Sequence, residues 1–293
     1  MAHSLPAAVR LPRSRAGIPA IRSEAGPIVK WVGGKGKLLR ELVRRAPTSF
    51  RRYHEPFVGG GAFFFELAPR AAVLSDVNAE LIGCYRAVQN DVEAVVTALA
   101  RHRADHSEAY YYAMREGWNG GAWESAAERA AAFIYLNKTC YNGLWRVNSR
   151  GLFNVPAGRY VNPGILDAER LRAAATVLSS AQLRVATFDA VADEARRGDF
   201  VYFDPPYDPV SATADFTSYT RNGFGVGDQE RLAEVFGRLV ERGCAVMLSN
   251  SDTPFIRRLY ARWHIDRVMC ARAVNSRADR RGAVGEVIVT NRY

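Results

Sequence analysis

Two things are scarce in this 293-residue chain: cysteine and long apolar runs. The four cysteines, Cys84, Cys140, Cys244 and Cys270, stand far apart and form no C-x-x-C pair. They build neither a disulfide framework nor a zinc site of the usual spacing, which fits a reducing cytoplasm. Cys244 opens the apolar run Cys244–Leu248 and reads as a small core residue. No apolar stretch approaches the ~18–20 residues that a membrane span requires. The first 25 residues lack the apolar centre of a signal peptide. A soluble cytoplasmic protein without a membrane partner is expected, with residues 1–26 as a flexible basic tail. Acidic residues are also in deficit: 30 Asp+Glu against 40 Lys+Arg leave a formal charge of +10. Such an excess favours a polyanionic partner. The basic residues gather at Arg10–Arg22, Lys30–Lys37, Arg44–Arg52 and Arg272–Arg281. These segments read as loops or helix faces suited to phosphate contacts.

Tyr53–Val58, then Gly59-Gly60-Gly61, then Ala62–Leu67 spell strand, tight loop and helix. A second buried-type strand, Ala71–Ser75, ends at Asp76, and Asn78–Gln89 has helical periodicity. This is the opening βαβ of a doubly wound α/β sheet. From Asp91 to Asn137 the spacing is helical, with a break near Gly117–Gly121. Residues 138–163, rich in Asn, Gly, Arg and aromatics, read as a hairpin and loops. Strands return at Leu183–Phe188 and Asp199–Asp204, followed by a long polar loop over Pro209–Gly227. Asp228 is expected to cap a helix running to Glu241. A strand at Cys244–Leu248, a helix at Thr253–Tyr260 and a β-like segment at Val284–Thr290 complete the chain. The expected architecture is an α/β sheet built from 27–90 and 180–293, interrupted by an inserted unit at 91–179.

Glu55-Pro56-Phe57-Val58-Gly59-Gly60-Gly61 lets a ligand approach the backbone closely ahead of a helix N-terminus. Asp76, at the end of the next strand, is placed to accept hydrogen bonds from ribose hydroxyls. Phe64 stands where the dinucleotide fingerprint has its third glycine, and the loop by itself is compatible with NAD, FAD or S-adenosylmethionine. Lys30-Trp31-Val32-Gly33-Gly34-Lys35-Gly36-Lys37 is not a P-loop, because Leu38 follows where a Mg²⁺-binding Ser or Thr belongs. Its Lys35 suits a ligand carboxylate, and Trp31 suits an aromatic or sulfonium group. Asp204-Pro205-Pro206-Tyr207 carries the sharpest chemistry. It follows an apolar strand, at the edge where α/β sheets bind ligands. Two prolines stiffen the turn and leave carbonyls as acceptors. A carboxylate plus a carbonyl accepts both hydrogens of an exocyclic amine, while Tyr207 stacks on the ring that bears it.

On these motifs the chain resembles the Dam-type DNA adenine-N6 methyltransferases. Asp204–Tyr207 matches their D-P-P-Y motif and Phe57–Gly61 their F-x-G-x-G motif. The resemblance extends over the Lys30–Lys35 entry segment, Ser75-Asp76-x-Asn78, and Asn142 through Tyr160. Motif order, with the glycine loop first and D-P-P-Y last, is that of their α group. The resemblance implies a Rossmann-like sheet with an inserted helical and β-hairpin DNA-recognition unit. It further implies methyl transfer from S-adenosyl-L-methionine to adenine N6 in double-stranded DNA, by base flipping, with GATC as the expected site. Asp204, Pro205, Pro206 and Tyr207 would be catalytic. Trp31, Lys35, Phe57, Gly59, Gly61, Asp76, Asp189 and Asp204 would bind the cofactor. Lys30, Lys138, Tyr141, Asn142, Leu144, Arg146, Asn154, Pro156 and Arg159 would meet DNA. No metal and no obligate protein partner are implied, hence a monomer, in a solitary, restriction-modification or phage setting alike. Cytosine N4 or an RNA adenine as acceptor, a nicotinamide or flavin oxidoreductase, and a silent DNA-binding protein are the rival readings.

Overall fold

The computed structural model describes residues 9–10, 25–35, 38–121, 123–209, 224–271 and 283–293. The basic stretch 272–281 and the loop 210–223 lie outside them, as does nearly all of the expected tail. Within that tail, β1 (Val9–Arg10) pairs antiparallel with β2 (Ser49–Phe50).

The main sheet of the described residues has seven strands: β3 (Tyr53–Glu55), β4 (Ala72–Asp76), β5 (Ala181–Val185), β6 (Phe200–Phe203), β7 (Ala245–Ser251), β8 (His264–Ala271) and β9 (Ala283–Thr290). Their spatial order is β5-β4-β3-β6-β7-β9-β8. The first five positions are mutually parallel, and β9 runs antiparallel to both β7 and β8. Chain order runs outward in opposite directions from the β3–β6 pair. That pair is therefore the switch point, outside whose carboxyl ends α/β sheets hold ligands. The glycine loop leaves β3 and the D-P-P-Y turn leaves β6, so the two motifs emerge side by side.

β3 and β6 are buried along their whole length, as strands covered on both faces must be. Along β6, Phe200 and Tyr202 join one core, whereas Val201 and Phe203 join the other. Against the second core pack α8 (Val191–Glu194), α9 (Val226–Glu241) and α10 (Pro254–Leu259). The first core is larger. It takes in α1 (Leu39–Arg45), α2 (Ala62–Leu67), α3 (Ala79–Asn90), α4 (Val92–Ala104), α5 (Glu108–Gly120), α6 (Ala126–Thr139) and α7 (Ala168–Leu178). Side chains of Asn78, Asp91, Ser107, Ser125 and Asp167 accept first-turn amides of α3 to α7 and set where those helices begin. The expected break at Gly117–Gly121 falls at the end of α5, where Gly121 takes φ 78°. One buried cluster runs without interruption from Phe200 and Tyr202 in the sheet to Phe133 and Trp145 in the 91–179 segment.

Several expectations shift. Asp228 is not the cap of α9: Gly225 is, and Asp228 lies inside the first turn, accepting the Gly225 N–H at 3.0 Å. The hairpin over 138–163 reduces to isolated bridges, Cys140↔Ala157 and Val147↔Phe153, around a 3₁₀ turn at Tyr141–Gly143. β8 is an additional strand; its residues are mostly half-exposed and include Asp266 and Arg267, so no clean alternation marks it. Cys84, Cys140 and Cys244 are free and buried. None of the described helices is long and apolar enough to cross a membrane.

Candidate active site

Asp204 follows the last residue of β6 and meets two partners. Lys35 Nζ lies 2.7 Å from its Oδ1, and Ser249 Oγ donates to the same oxygen at 2.8 Å. With Ser249 donating to the carboxylate, the Tyr202 hydroxyl donates to Ser249 at 2.8 Å. Burial opposes charge on Lys35, but Asp204 and Tyr207 outweigh it and hold the ammonium above the ordinary lysine range. Burial also pushes the Asp204 carboxyl upward, against the pull of Lys35 and Ser249. The Lys35 ammonium further bonds the Gly33 carbonyl at 2.8 Å and sits 4.3 Å from the centre of the Tyr207 ring. A cation thus occupies the space between the carboxylate and the aromatic face.

The turn is fixed from behind by residues on β7 and α9. Gln229 Nε2 donates to the Pro206 carbonyl at 3.0 Å and Asn250 Nδ2 to Gln229 at 3.1 Å. Asn250 Oδ1 accepts the Asp208 amide at 2.9 Å, Thr253 donates to Asp208 at 2.6 Å, and the Tyr207 hydroxyl donates to Glu286 at 3.3 Å. The Pro205 carbonyl takes no hydrogen bond from a described residue. Ser249, Asn250 and Gln229 are absent from the sequence-based site. Their one signal is the polar trio Ser249-Asn250-Ser251 closing an otherwise apolar strand.

On the β3 side, Gly59 has φ 46° and Gly61 φ 65°. A Cβ on Gly59 would stand 2.7 Å from Trp31 Cδ1, so glycine is required for Trp31 to lie on the loop. Asp76 accepts the Gly59 amide at 3.1 Å and the Asn78 amide at 2.9 Å, one on each oxygen. Each carboxylate oxygen keeps further acceptor capacity. Phe57 stacks on Phe188 with centroids 5.4 Å apart, and Phe224 meets both rings edge-on. Beside this apolar wall Asp189 Oδ1 is buried with no hydrogen-bond partner among the described residues. An aromatic wall, an acceptor without a partner among the described residues and the Asp76 carboxylate beside the glycine loop fit an adenosine-bearing cofactor.

Under the floor lies Glu55, 3 % exposed and bonded by the Tyr53 hydroxyl at 2.8 Å. Burial pushes its carboxyl up to about 8.

The 138–163 segment alternates. Trp145, Phe153 and Val155 are buried, whereas Arg146, Asn154 and Pro156 are exposed. Trp145 stacks on Phe153 at 4.5 Å and packs against Phe133 and Trp118. Asn119 exchanges both hydrogen bonds with the Phe153 backbone, and the Tyr111 hydroxyl donates to the Val155 carbonyl at 2.8 Å. Outside, Arg146 Nε donates to Asn154 Oδ1 at 3.1 Å. Tyr141, Asn142 and Arg159 are exposed and Leu144 half-buried; Asn142 holds φ 55°. Lys30 is exposed and Lys138 half-buried, its ammonium pushed down by burial and by Lys30 and Arg170. Arg45, by contrast, is committed to Glu41 and Asp266.

Fold and turn together give the Rossmann-like sheet of the methyltransferase class, with the Asp204–Tyr207 turn at its switch point. A family profile described as D12 class N6 adenine-specific DNA methyltransferase matches residues 31–273. The chain is 42 % identical over 269 residues to the Type II methyltransferase M1.LlaDCHI of Lactococcus lactis subsp. cremoris, covering 90 % of this chain and 95 % of that one. It is 38 % identical to the Type II methyltransferase M.MjaIII of Methanocaldococcus jannaschii, over 92 % and 99 % of the two chains. It is 37 % identical to the DNA adenine methylase of Escherichia coli strain K12, over 89 % and 93 %. The chain belongs to the D12 class of N6 adenine-specific DNA methyltransferases. Membership makes it an enzyme that methylates adenine N6 in DNA and depends on S-adenosyl-L-methionine.

Proposed function

We propose that this enzyme methylates an adenine extruded from double-stranded DNA, at the site GATC, acting as a monomer. The observation that carries the chemistry is the Asp204 turn: a buried carboxylate, a Pro205 carbonyl that takes no hydrogen bond from the described residues, and the Tyr207 ring under the Lys35 ammonium follow one another in one turn. Inside a duplex the amino group is out of reach of such a recess, so the nucleotide must leave the stack.

S-adenosyl-L-methionine supplies a methyl group on a positively charged sulfur. Asp204 and the Pro205 carbonyl accept the two N6 hydrogens and raise electron density on the nitrogen. Tyr207 stacks on the ring, and Gln229 keeps the Pro206 side of the turn from moving. The amine entering against Asp204 displaces the Lys35 ammonium, leaving it to meet a ligand carboxylate. Trp31, Phe57, Gly59, Gly61, Asp76 and Asp189 hold the cofactor, Asp189 through the oxygen that has no partner among the described residues. Positioning and fixed charge account for most of the rate gain.

Segment 91–179 serves as the target-recognition unit, and 27–90 with 180–293 as the catalytic one. Arg146 and Asn154 suit guanine and adenine edges, with Tyr141, Asn142, Leu144, Pro156 and Arg159 alongside. Burial and the neighbouring Lys30 and Arg170 push the Lys138 ammonium down, and a phosphate beside it offsets that cost. The GATC assignment is supported by the likeness of Asn142–Tyr160 to Dam-type enzymes.

Mapping N6-methyladenine in DNA from cells expressing the chain tests base and site together; marks at another sequence overturn GATC, and marks on cytosine overturn the base. Asp204→Ala is expected to abolish transfer of a labelled methyl group while duplex binding survives. Full activity in that variant overturns the mechanism.

A further inference from the structure

Asn137 lies in the last turn of α6 with 0 % exposure. Its side-chain carbonyl accepts the Lys30 N–H at 2.7 Å. Its amide donates to the Lys30 carbonyl at 2.8 Å and to the Gly143 carbonyl at 3.2 Å. The two bonds to Lys30 are those one strand residue offers a neighbour, so a single side chain holds Lys30 as a ladder would. The third ties the same point to the Tyr141–Gly143 turn. The junction has no slack: Gly143 takes φ 65°, and a Cβ there would stand 2.5 Å from the Lys30 side chain. Lys30 Nζ also reaches the Lys138 carbonyl at 3.5 Å and lies 4.2 Å over the Tyr160 ring.

The two segments so joined serve different ligands in the function proposed above. Trp31, next to Lys30, rests on the glycine loop at Gly59. Asn142, next to Gly143, is exposed on the turn that faces DNA in that reading. A chain of contacts therefore runs from Gly59 through Trp31, Lys30 and Asn137 to Gly143 and Asn142. Close-packed interiors transmit displacement along such a path.

We propose that Asn137 is a positioning residue that couples the two sites, so that a cofactor on the glycine loop tightens the grip of the turn on duplex DNA. The inference rests on the function proposed above. Linkage requires DNA to tighten cofactor binding by the same factor.

The test uses the full-length protein, a labelled duplex carrying the mapped methylation site, and S-adenosyl-L-homocysteine, which donates no methyl group. Anisotropy gives duplex affinity with and without this ligand, and calorimetry gives ligand affinity with and without duplex. The wild type is expected to bind duplex at least about fivefold tighter with the ligand present, the low end of ordinary coupling. In Asn137→Ala that ratio should fall to about one, while binding of each ligand alone persists. Gly143→Ala, which drives the turn off Lys30 through different atoms, should lose the coupling too, and it decides the matter if Asn137→Ala does not fold. Full coupling in either folded variant, or none in the wild type, overturns the inference. A wild type that binds neither ligand instead overturns the proposed function.

Discussion

Ser249 gives Asp204 a fixed orientation. A hydrogen bond to a charged group contributes about 1.5–3 kcal/mol. Ser249→Ala leaves Asp204 with Lys35 alone, so single-turnover methyl transfer should slow by about tenfold or more, while duplex affinity holds. Stopped-time assays with labelled cofactor, alongside anisotropy, measure the two separately. Glu55 makes a second residue-scale prediction. Its carboxyl is raised from 4.5 to about 8 in the folded protein, by burial first. Between those values the folded protein keeps a proton that the unfolded chain releases, so stability is full at the acid end. It is lost as pH rises through about 8. Glu55→Gln removes the titration. Its melting temperature relative to wild type should therefore climb from mildly acidic to mildly alkaline pH, by the equivalent of a few kcal/mol. A difference that stays flat with pH contradicts the assignment. Arg146→Ala should relax base preference by about 1–3 kcal/mol of discrimination, read from methylation profiles of variant duplexes. At this scale Asp204, Asp76 and Gly59 were legible, because each sits in a contiguous motif whose chemistry is local. Ser249, Asn250 and Gln229 were not. They reach the turn from β7 and α9, and only the fold reveals that proximity.

Elements show a similar division. β4 and β6 could be read from their apolar runs, and β3, Tyr-His-Glu in sequence, from the glycine loop and helix that follow it. β8 could not, for its side chains are mostly half-exposed and include Asp266 and Arg267. The expected hairpin is there, closed by the antiparallel bridges Cys140↔Ala157 and Val147↔Phe153. It is held less by strand pairing than by side chains, with Asn119 completing the Phe153 backbone and Trp145 filling the gap between Phe133 and Phe153. Trp145→Ala should accordingly cost about 3–5 kcal/mol, seen as a fall in the unfolding midpoint. If the exposed side of this segment meets DNA, duplex affinity should fall more steeply than cofactor affinity, because Trp145 lies directly under the segment and reaches the glycine loop only through Phe133 and Trp31.

For the whole molecule, the positive excess read from composition predicts salt-sensitive binding. If six to ten phosphates are contacted, affinity should drop by about 10³–10⁵ between roughly 50 and 200 mM salt. A shallow slope on a log–log titration excludes an extensive phosphate interface. Composition disclosed the charge but not its use: Arg45 is spent on Glu41 and Asp266, whereas Lys30 and Lys138 stand together. Nor did it disclose that the 91–179 segment shares one buried cluster with the sheet, since core membership follows from packing.

That shared core, with the in-and-out alternation from Trp145 to Pro156, bears on how such an enzyme acquires a new target. Transplanting the segment whole parts Phe133 from Trp31 and splits the cluster it shares with the sheet, and the recipient inherits a mismatched interior. Rewriting only Arg146, Asn154 and Pro156 leaves every buried neighbour in place, and exposed substitutions of that sort shift stability by only about 0.5 kcal/mol. The segment works like a printing plate bolted to its press: the type can be reset where it stands, but the plate cannot be lifted out.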